Sequence, residues 1–372
     1  MPEIRPLQAA DLPVVADMFQ RVLRRRRKPV PASLPGYLQR LYLDSTHGAV
    51  GSPSLVHVAD DGRISGFIGV TSLPMRFNDK KLNASICGSL MVDEDQRNDL
   101  SGARLLKAFL AGPQDISFSE TASDVTASMW TTLRGSILPQ YSLDWIKVFR
   151  PAAFAIAGAK QRLPAARFAT PLARAVDACL GLRRSSGEFS RWFGAGDAAT
   201  SQGRYAVSEV DADGFSRLLE TFTSRFAVHP EWDATVLARV MSDASAKKDF
   251  GDVFRCTVAA RTGAIIGAFI YFGRRGDIGH VLQVLALPGQ AGAVIDCLIN
   301  HAATAGLAGI RGRTQPALLE AMLGRRIIFI NVNSTVVHSR DPELVRQFQA
   351  GDGFFNGLVG EHWSRIFGDR FD

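Results

Sequence analysis

The chain has 372 residues, 46% of them hydrophobic and 21% charged, with a net charge of +7 and a pI near 9.5. That length points to two domains, each able to bury a core of its own, and no apolar run reaches the ~18 residues of a spanning helix. The basic balance favours acidic partners, among them nucleotide cofactors, anionic membrane surfaces and nucleic acid.

Taken in chain order, the N-terminal stretch MPEIRPLQAADLP carries no signal-peptide pattern, and Asp11 is placed to cap a helix over 12–25. The run RRRRK (24–28) closes that helix, where cations complement the dipole; the competing reading is an anion site. A second helix is expected near 34–43, then strands near 54–59 and 64–73. Residues 82–92 alternate: Leu82, Ala84, Ile86, Gly88, Leu90 and Val92 fall on one face, and Asn83, Ser85, Cys87, Ser89 and Met91 on the other. Period two over this run is a strand, and its small polar face suits a cleft floor. A polar loop follows, then a helix with Leu105, Leu106, Phe109 and Leu110 on one face. A strand at 115–119, a helix at 123–134 and a strand at 140–149 end the first half.

Residues 152–200 are rich in Ala, Arg, Pro and Gly and read as a connector, either packed across the halves or touching an anionic membrane. Beyond it the pattern repeats. GRISGFIGVT (62–71) is echoed by GAIIGAFIYF (263–272), and AADLPVVADMFQRVL (9–23) by DADGFSRLLETFTSR (211–225). SLMVDEDQRNDLSGARLLKAFL is echoed by VLQVLALPGQAGAVIDCLINHA. Three matches in register at an offset near 200 residues point to a duplicated unit. The expected division is therefore 1–151, a connector 152–200 and 201–372. Cys87, Cys179, Cys256 and Cys297 are scattered without metal or disulfide spacing and read as reduced thiols of a cytoplasmic protein, with no metal expected. GDGFFNGLVGEHW (351–363) gathers Asp352, Glu361 and His362 among aromatics. It either lines a pocket where the halves meet or plugs the second core with Phe354, Phe355 and Trp363.

The order strand–helix–helix–β-meander–strand–loop–helix, with Arg97 and Gly102 in the loop, resembles the GNAT acyltransferase superfamily. With the internal echo, the chain looks like a tandem member, similar to two-domain acyltransferases related to Fem-type enzymes and to those of polysaccharide assembly. The implied fold is α/β (α+β), two GNAT-like domains in tandem, each a mixed central sheet flanked by helices. The family loop reads Arg/Gln-x-x-Gly-x-Gly/Ala and falls here on Arg97-Asn98-Asp99-Leu100-Ser101-Gly102, with Leu100 replacing the central glycine. The resemblance implies that Arg97, Asn98, Ser101, Gly102 and Ala103 hold the pyrophosphate of acetyl-CoA or a longer acyl-CoA. Met91 and Val92 would meet its pantetheine arm, and Ser123 would touch the coenzyme. In the second half ALPGQAGAVIDCL has a shortened loop without arginine, so no coenzyme is expected there.

Acyl transfer to an amine needs a base for the nucleophile and an acid for the thiolate. Glu120, at a strand end, is the candidate base, and its alternative is an exposed carboxylate. The family's acid tyrosine falls on Trp130, which cannot serve, and Tyr141 is the candidate substitute. The expected function is acyl transfer from acyl-CoA to an amine, with an amino sugar or polysaccharide precursor as a candidate acceptor. The alternative is a non-catalytic binding or regulatory protein on the same scaffold, favoured by Leu100 and Trp130. No basic stripe is interleaved with aromatics, so nucleic acid is not expected as a partner.

Overall fold

The computed structural model describes residues 2–26, 28–44, 51–93, 100–160, 177 and 203–371. Most of the expected connector therefore lies outside the described residues. The first half opens with β1 (Glu3–Pro6), α1 (Leu12–Met18), whose end widens into a π-helix over Phe19–Leu23, and α2 (Ser33–Tyr42). A meander follows: β2 (Leu55–Val58), β3 (Ile64–Phe77) and β4 (Lys80–Val92). Then come α3 (Ser101–Leu110), β5 (Ile116–Ala122), α4 (Asp124–Thr132), β6 (Ser136–Ile137), α5 (Pro139–Ser142), β7 (Leu143–Val148) and α6 (Pro151–Lys160). The second half repeats the order with β8 (Tyr205–Glu209), α7 (Ala212–Thr223), β9 (Val228–Pro230), α8 (Ala234–Ser245), β10 (Asp252–Ala260), β11 (Ile265–Gly273) and β12 (Ile278–Ala286). It closes with α9 (Ala291–Thr304), β13 (Gly309–Arg313), α10 (Pro316–Leu323), β14 (Ile328–Asn331), β15 (Ser334–Ser339) and α11 (Pro342–Ala350).

The strands form two mixed sheets flanked by helices. One runs β1-β2-β3-β4-β5-β15-β6, with β9 against β3, and the other β14-β7-β13-β12-β11-β10-β8. Within each sheet one pair is parallel, β4 with β5 and β12 with β13. Each sheet also takes strands from the other half of the chain, the first sheet β9 and β15 and the second β7. β7 lies between β13 and β14, and β15 lies between β5 and β6. The strand expected at 140–149 thus exists, but in the second sheet.

The echoed G-x-I-x-G string does the same physical job twice. Gly62 and Gly263 sit at φ +81° and +84° in turns that favour glycine. A Cβ on Gly66 would stand 2.8 Å from Leu105 of α3, and one on Gly267 would stand 2.2 Å from Val294 of α9. Both helices therefore press directly on their strands. The β4 alternation differs from expectation beyond Ile86. Ser89 pairs with Gly69 and Cys87 with Val70, so Gly88 is the extra residue of a bulge. That slip puts Met91 in the same core as Leu82, Ala84 and Ile86, while Cys87 and Leu90 pack under α3. β12 has a matching bulge, since Ile270 pairs with Gln283 and Tyr271 with Val281, leaving Leu282 over.

One core joins the halves, with Val15, Leu38 and Tyr42 from the first and Phe215, Leu219, Val240 and Met241 from the second. The chain after α11 runs into it. Phe355 stacks on Phe118 at 4.3 Å between ring centres, and Phe348 meets Phe118 edge-on at 4.9 Å. Such pairs contribute about 0.5–1.5 kcal/mol each beyond their burial. None of the helices among the described residues is long and apolar enough to cross a membrane.

Candidate functional site

α3 opens without a side-chain cap. Leu100, just before it, sits at φ 40° and ψ 8°, with its side chain in solvent. A left-handed leucine costs about 1–2 kcal/mol, so the chain keeps here a conformation for which glycine is the usual residue. Ser101 is buried, and its hydroxyl has no hydrogen-bond partner among the described residues. A Cβ on Gly102 would stand 3.2 Å from Val92 Cγ2, so the helix starts hard against the end of β4. Ala103 is half-buried in the first turn. Free amides and the helix dipole together favour an anion at such a place. Arg97 and Asn98 lie outside the described residues.

β4 and β5 are paired only from Ala84 with Ile116 to Ile86 with Phe118. Beyond that the strands part, and a cavity of about 340 Å³ occupies the opening. Cys87, Ser89, Ser119 and Thr121 line it from the strands, and Phe19 and Leu23 from the π-helix. π-Helical turns recur at functional sites. Ser123 also lines it, and its Oγ accepts from Thr126 N at 3.3 Å, which caps α4. Met91 and Val92 pair with Phe67 and Gly66 of β3 and have no strand partner toward β5. The Met91 side chain is buried on the inner face. Burial, reinforced by Glu361, pushes the Cys87 thiol far up, which keeps it protonated and unreactive.

The Ser119 and Thr121 hydroxyls that line the opening are engaged. Glu361, from the chain after α11, accepts from Ser119 Oγ at 3.0 Å, Glu120 N at 2.7 Å and Thr121 Oγ1 at 2.7 Å. Burial raises its pKa against the pull of the Thr121 hydroxyl, and the nearby Glu120 carboxylate adds to the rise. Glu120 points the opposite way along β5. It is fully buried, correcting the alternative of an exposed strand end. Its Oε2 accepts from Glu361 N at 2.8 Å, and His362 Nδ1 stands 2.8 Å from the same oxygen without the alignment of a hydrogen bond. Burial alone would raise its pKa. The His362 ring, Arg313 and the Glu361 amide overcome that and hold it at about 2. A carboxylate so held is a poor base but a good orienting group.

Glu120 and His362 face a second cavity, of about 230 Å³, on the surface of the second sheet. Phe250, Phe272 and Phe367 form apolar walls, and Phe367 borders both cavities. Arg311 donates to Asp144 Oδ2 at 2.5 Å. Arg313 reaches Asp144 Oδ1 at 3.2 Å, Glu120 O at 2.7 Å and Asn333 O at 2.8 Å. His280 stacks on Phe250 with ring centres 4.0 Å apart, and burial, aided by Arg311 and Lys247, lowers its pKa to about 3. Lys247 is buried below, donating to Ser364 O at 2.6 Å and Phe367 O at 2.7 Å, with its pKa lowered to about 7 by burial. Asp144 comes from β7, the strand the first half lends to the second sheet.

Tyr141 is not placed as an acid. It is buried, its hydroxyl donates to Gly353 O at 2.6 Å, and burial raises its pKa further. Trp130 is core, edge-on to Phe109. Arg24, first of the basic run, donates to Asp369 O and Arg370 O and so ties down the C-terminal chain. The 351–363 stretch both plugs a core and lines a cavity, but the core is the one the halves share and not a second core. Phe354, Phe355 and Trp363 plug the core, while Gly357 and His362 line a cavity. In the second half, Arg325 covers Gly292 at the start of α9 and is paired with Asp296. Cys256, His301 and Tyr271 cluster there too, with Tyr271 OH 2.8 Å from His301 Nδ1, but the thiol is buried and pushed up to about 12. Asp144, Lys247 and Arg311 escaped the sequence reading; the one signal was the period-two IRGR run that puts Arg311 and Arg313 on one face.

No family model and no curated protein matches the sequence. Solved structures do resemble the fold. A GCN5-related N-acetyltransferase from Kribbella flavida superposes with a TM-score of 0.54 at 12% identity, over 92% of this chain and 72% of its own. Another from Anabaena variabilis gives 0.57 at 8% identity, over 92% and 74%. A conserved protein of unknown function from Enterococcus faecalis, described as a probable N-acyltransferase, gives 0.57 at 9%, over 91% and 73%. The chain therefore has a GNAT-like fold in tandem across both halves, and at these identities the likeness concerns fold.

Proposed function

We propose that this chain transfers an acyl group from acetyl-CoA or a longer acyl-CoA to a small amine. The observation that carries the reading is the parting of β4 and β5 around a 340 Å³ cavity beside the uncapped start of α3. The α3 amides and the Ser101 hydroxyl hold the coenzyme's phosphates. The thioester lies in the opening, where the β4 edge past Ile86 is not paired with β5 and its backbone amides polarise the carbonyl. The amine sits in the 230 Å³ cavity, an amino sugar being one candidate.

Glu120 acts as a positioning residue. Its carboxylate favours the His362 tautomer with the proton on Nδ1, leaving the Nε2 lone pair for the amine. His362 then takes the proton released as the amine nitrogen bonds to the acyl carbon. The same proton serves the departing thiolate, so no separate tyrosine acid is required.

One observation favours the second reading, a non-catalytic binding protein: Glu361 engages the Ser119 and Thr121 hydroxyls that line the opening. Calorimetric titration with acetyl-CoA and longer acyl-CoAs separates the two. Binding that is lost in Gly102→Trp, which would drive a side chain into Val92, supports acyl transfer. No binding at millimolar concentration overturns it.

A further inference from the structure

We infer that the cavity shared by the two halves takes a small zwitterion, an amine that carries its own carboxylate. Which end of the ligand reacts rests on the acyl-transfer reading, in which the bound ammonium first gives one proton to solvent and His362 carries the second to the thiolate; that the cavity binds such a ligand does not.

Its charged lining is balanced. Arg311 and Arg313 face Asp144 and Glu120. A ligand of one sign alone would bring an uncompensated charge among the rings of Phe250, Phe272 and Phe367, which is costly in a partly desolvated place. A zwitterion brings none.

The two cations differ in how far they are used. Arg313 is spent on the frame, through Tyr141 O, Glu120 O, Asn333 O, Thr335 Oγ1 and Asp144. Arg311 gives one nitrogen to Asp144, and its Nε and Nη1 have no partner among the described residues. Its side chain is 34% exposed, so a solute can reach it. A planar guanidinium with free donors matches a carboxylate. His362 also has no partner for Nε2 among the described residues, and its side chain is 37% exposed. One end of the cavity lining thus offers donors to an anion, and another offers a lone pair to an amine beside the ionised Glu120. The volume of about 230 Å³ suits a ligand on the scale of an amino acid, set against ~30 Å³ per liquid water.

The test measures binding to the full chain without acyl-CoA, by calorimetry. The probes are the standard amino acids, the decarboxylated amine of each, O-phosphoethanolamine and glucosamine. At least one amino acid is expected to bind, with its decarboxylated amine about tenfold or more weaker, as for loss of a charge-assisted hydrogen bond. Arg311→Gln should erase that difference and Arg311→Lys should keep part of it, while both variants still unfold cooperatively and keep the acyl-CoA titration. The inference is overturned if no amino acid binds, if the bare amine or glucosamine binds as tightly, or if the phosphate ester is preferred. It is also overturned if Arg311→Gln, shown to be folded, leaves the preference intact. Failure of the separate acyl-CoA titration overturns the acyl-transfer reading alone.

Discussion

Glu120 and Glu361, 241 residues apart, each accept a hydrogen bond from the other's backbone amide. The distances are 2.7 Å from Glu120 N to Glu361 Oε1 and 2.8 Å from Glu361 N to Glu120 Oε2. The reciprocal clasp seats the last stretch of chain across the end of β5. It also sets the Glu120 carboxylate toward the 230 Å³ cavity and the Glu361 carboxylate against the Ser119 and Thr121 hydroxyls. Replacing Glu361 by Ala leaves buried donors of Ser119 and Glu120 and the half-buried Thr121 hydroxyl unpaired, at about 1–3 kcal/mol for each buried group. Urea unfolding should show a loss of about 3 kcal/mol or more. An unchanged unfolding midpoint would mean that the clasp does not hold the C-terminal chain.

Proton transfer is assigned to His362 with Glu120 behind it. His362→Gln is expected to lower kcat by about 10²–10⁴-fold with acyl-CoA affinity intact, the usual range for a lost general base. Glu120→Gln should lower kcat less and shift the pH–rate profile, because the ring loses the carboxylate that fixes its tautomer. A Glu120→Gln enzyme with the wild-type profile would remove Glu120 from the proton path.

Lys247 makes stability depend on pH. Its folded-state value of about 7 lies below the ordinary 10.5, so between these values the unfolded chain binds the extra proton. Stability contributed by this group is therefore present above about 10.5 and is lost as pH falls through about 7. Relative to Lys247→Met, the wild type should gain stability between pH 7 and pH 10 in urea unfolding. A constant difference across that window would show that Lys247 keeps its proton in the folded protein.

Leu100 holds a left-handed conformation with its side chain in solvent. Leu100→Gly should therefore stabilise the chain by about 0.5–1 kcal/mol, strain relief outweighing the entropy of the freer unfolded chain. Leu100→Ala should not, since alanine meets the same clash. Thermal unfolding of the three proteins separates strain from any effect of the leucine side chain.

The exchange of β7 and β15 binds the halves together. Segments 1–151 and 203–372, expressed separately, should each fail to give a cooperative unfolding transition, since each sheet then lacks a strand inserted between two others. Mixed, they should form a one-to-one complex. Independent cooperative folding of either segment would contradict the pairing of β7 with β13 and β14, or of β15 with β5 and β6.

The sequence by itself determined the local elements and their repetition. Period two drew β4, the apolar face drew α3, and the G-x-I-x-G echo marked two turns and two helix-on-strand contacts that only glycine allows. These are short-range matters, settled by residues a few positions apart. It also placed Leu100 where glycine was expected, though only the folded chain shows that the backbone there is left-handed. The tertiary structure decided the rest. An alternating pattern specifies a strand but not its neighbour, because backbone hydrogen bonding is the same for every partner; hence β7 and β15 could be read as strands but not as exchanged ones. The Gly88 bulge turns Met91 inward for a like reason, since one extra residue reverses the faces without altering composition. Glu120 was legible as a carboxylate at a strand end. Its burial, its ionisation and its contact with His362 depend on a chain that returns some 240 residues later, and Arg311 meets Asp144 only because the first half lends β7 to the second sheet.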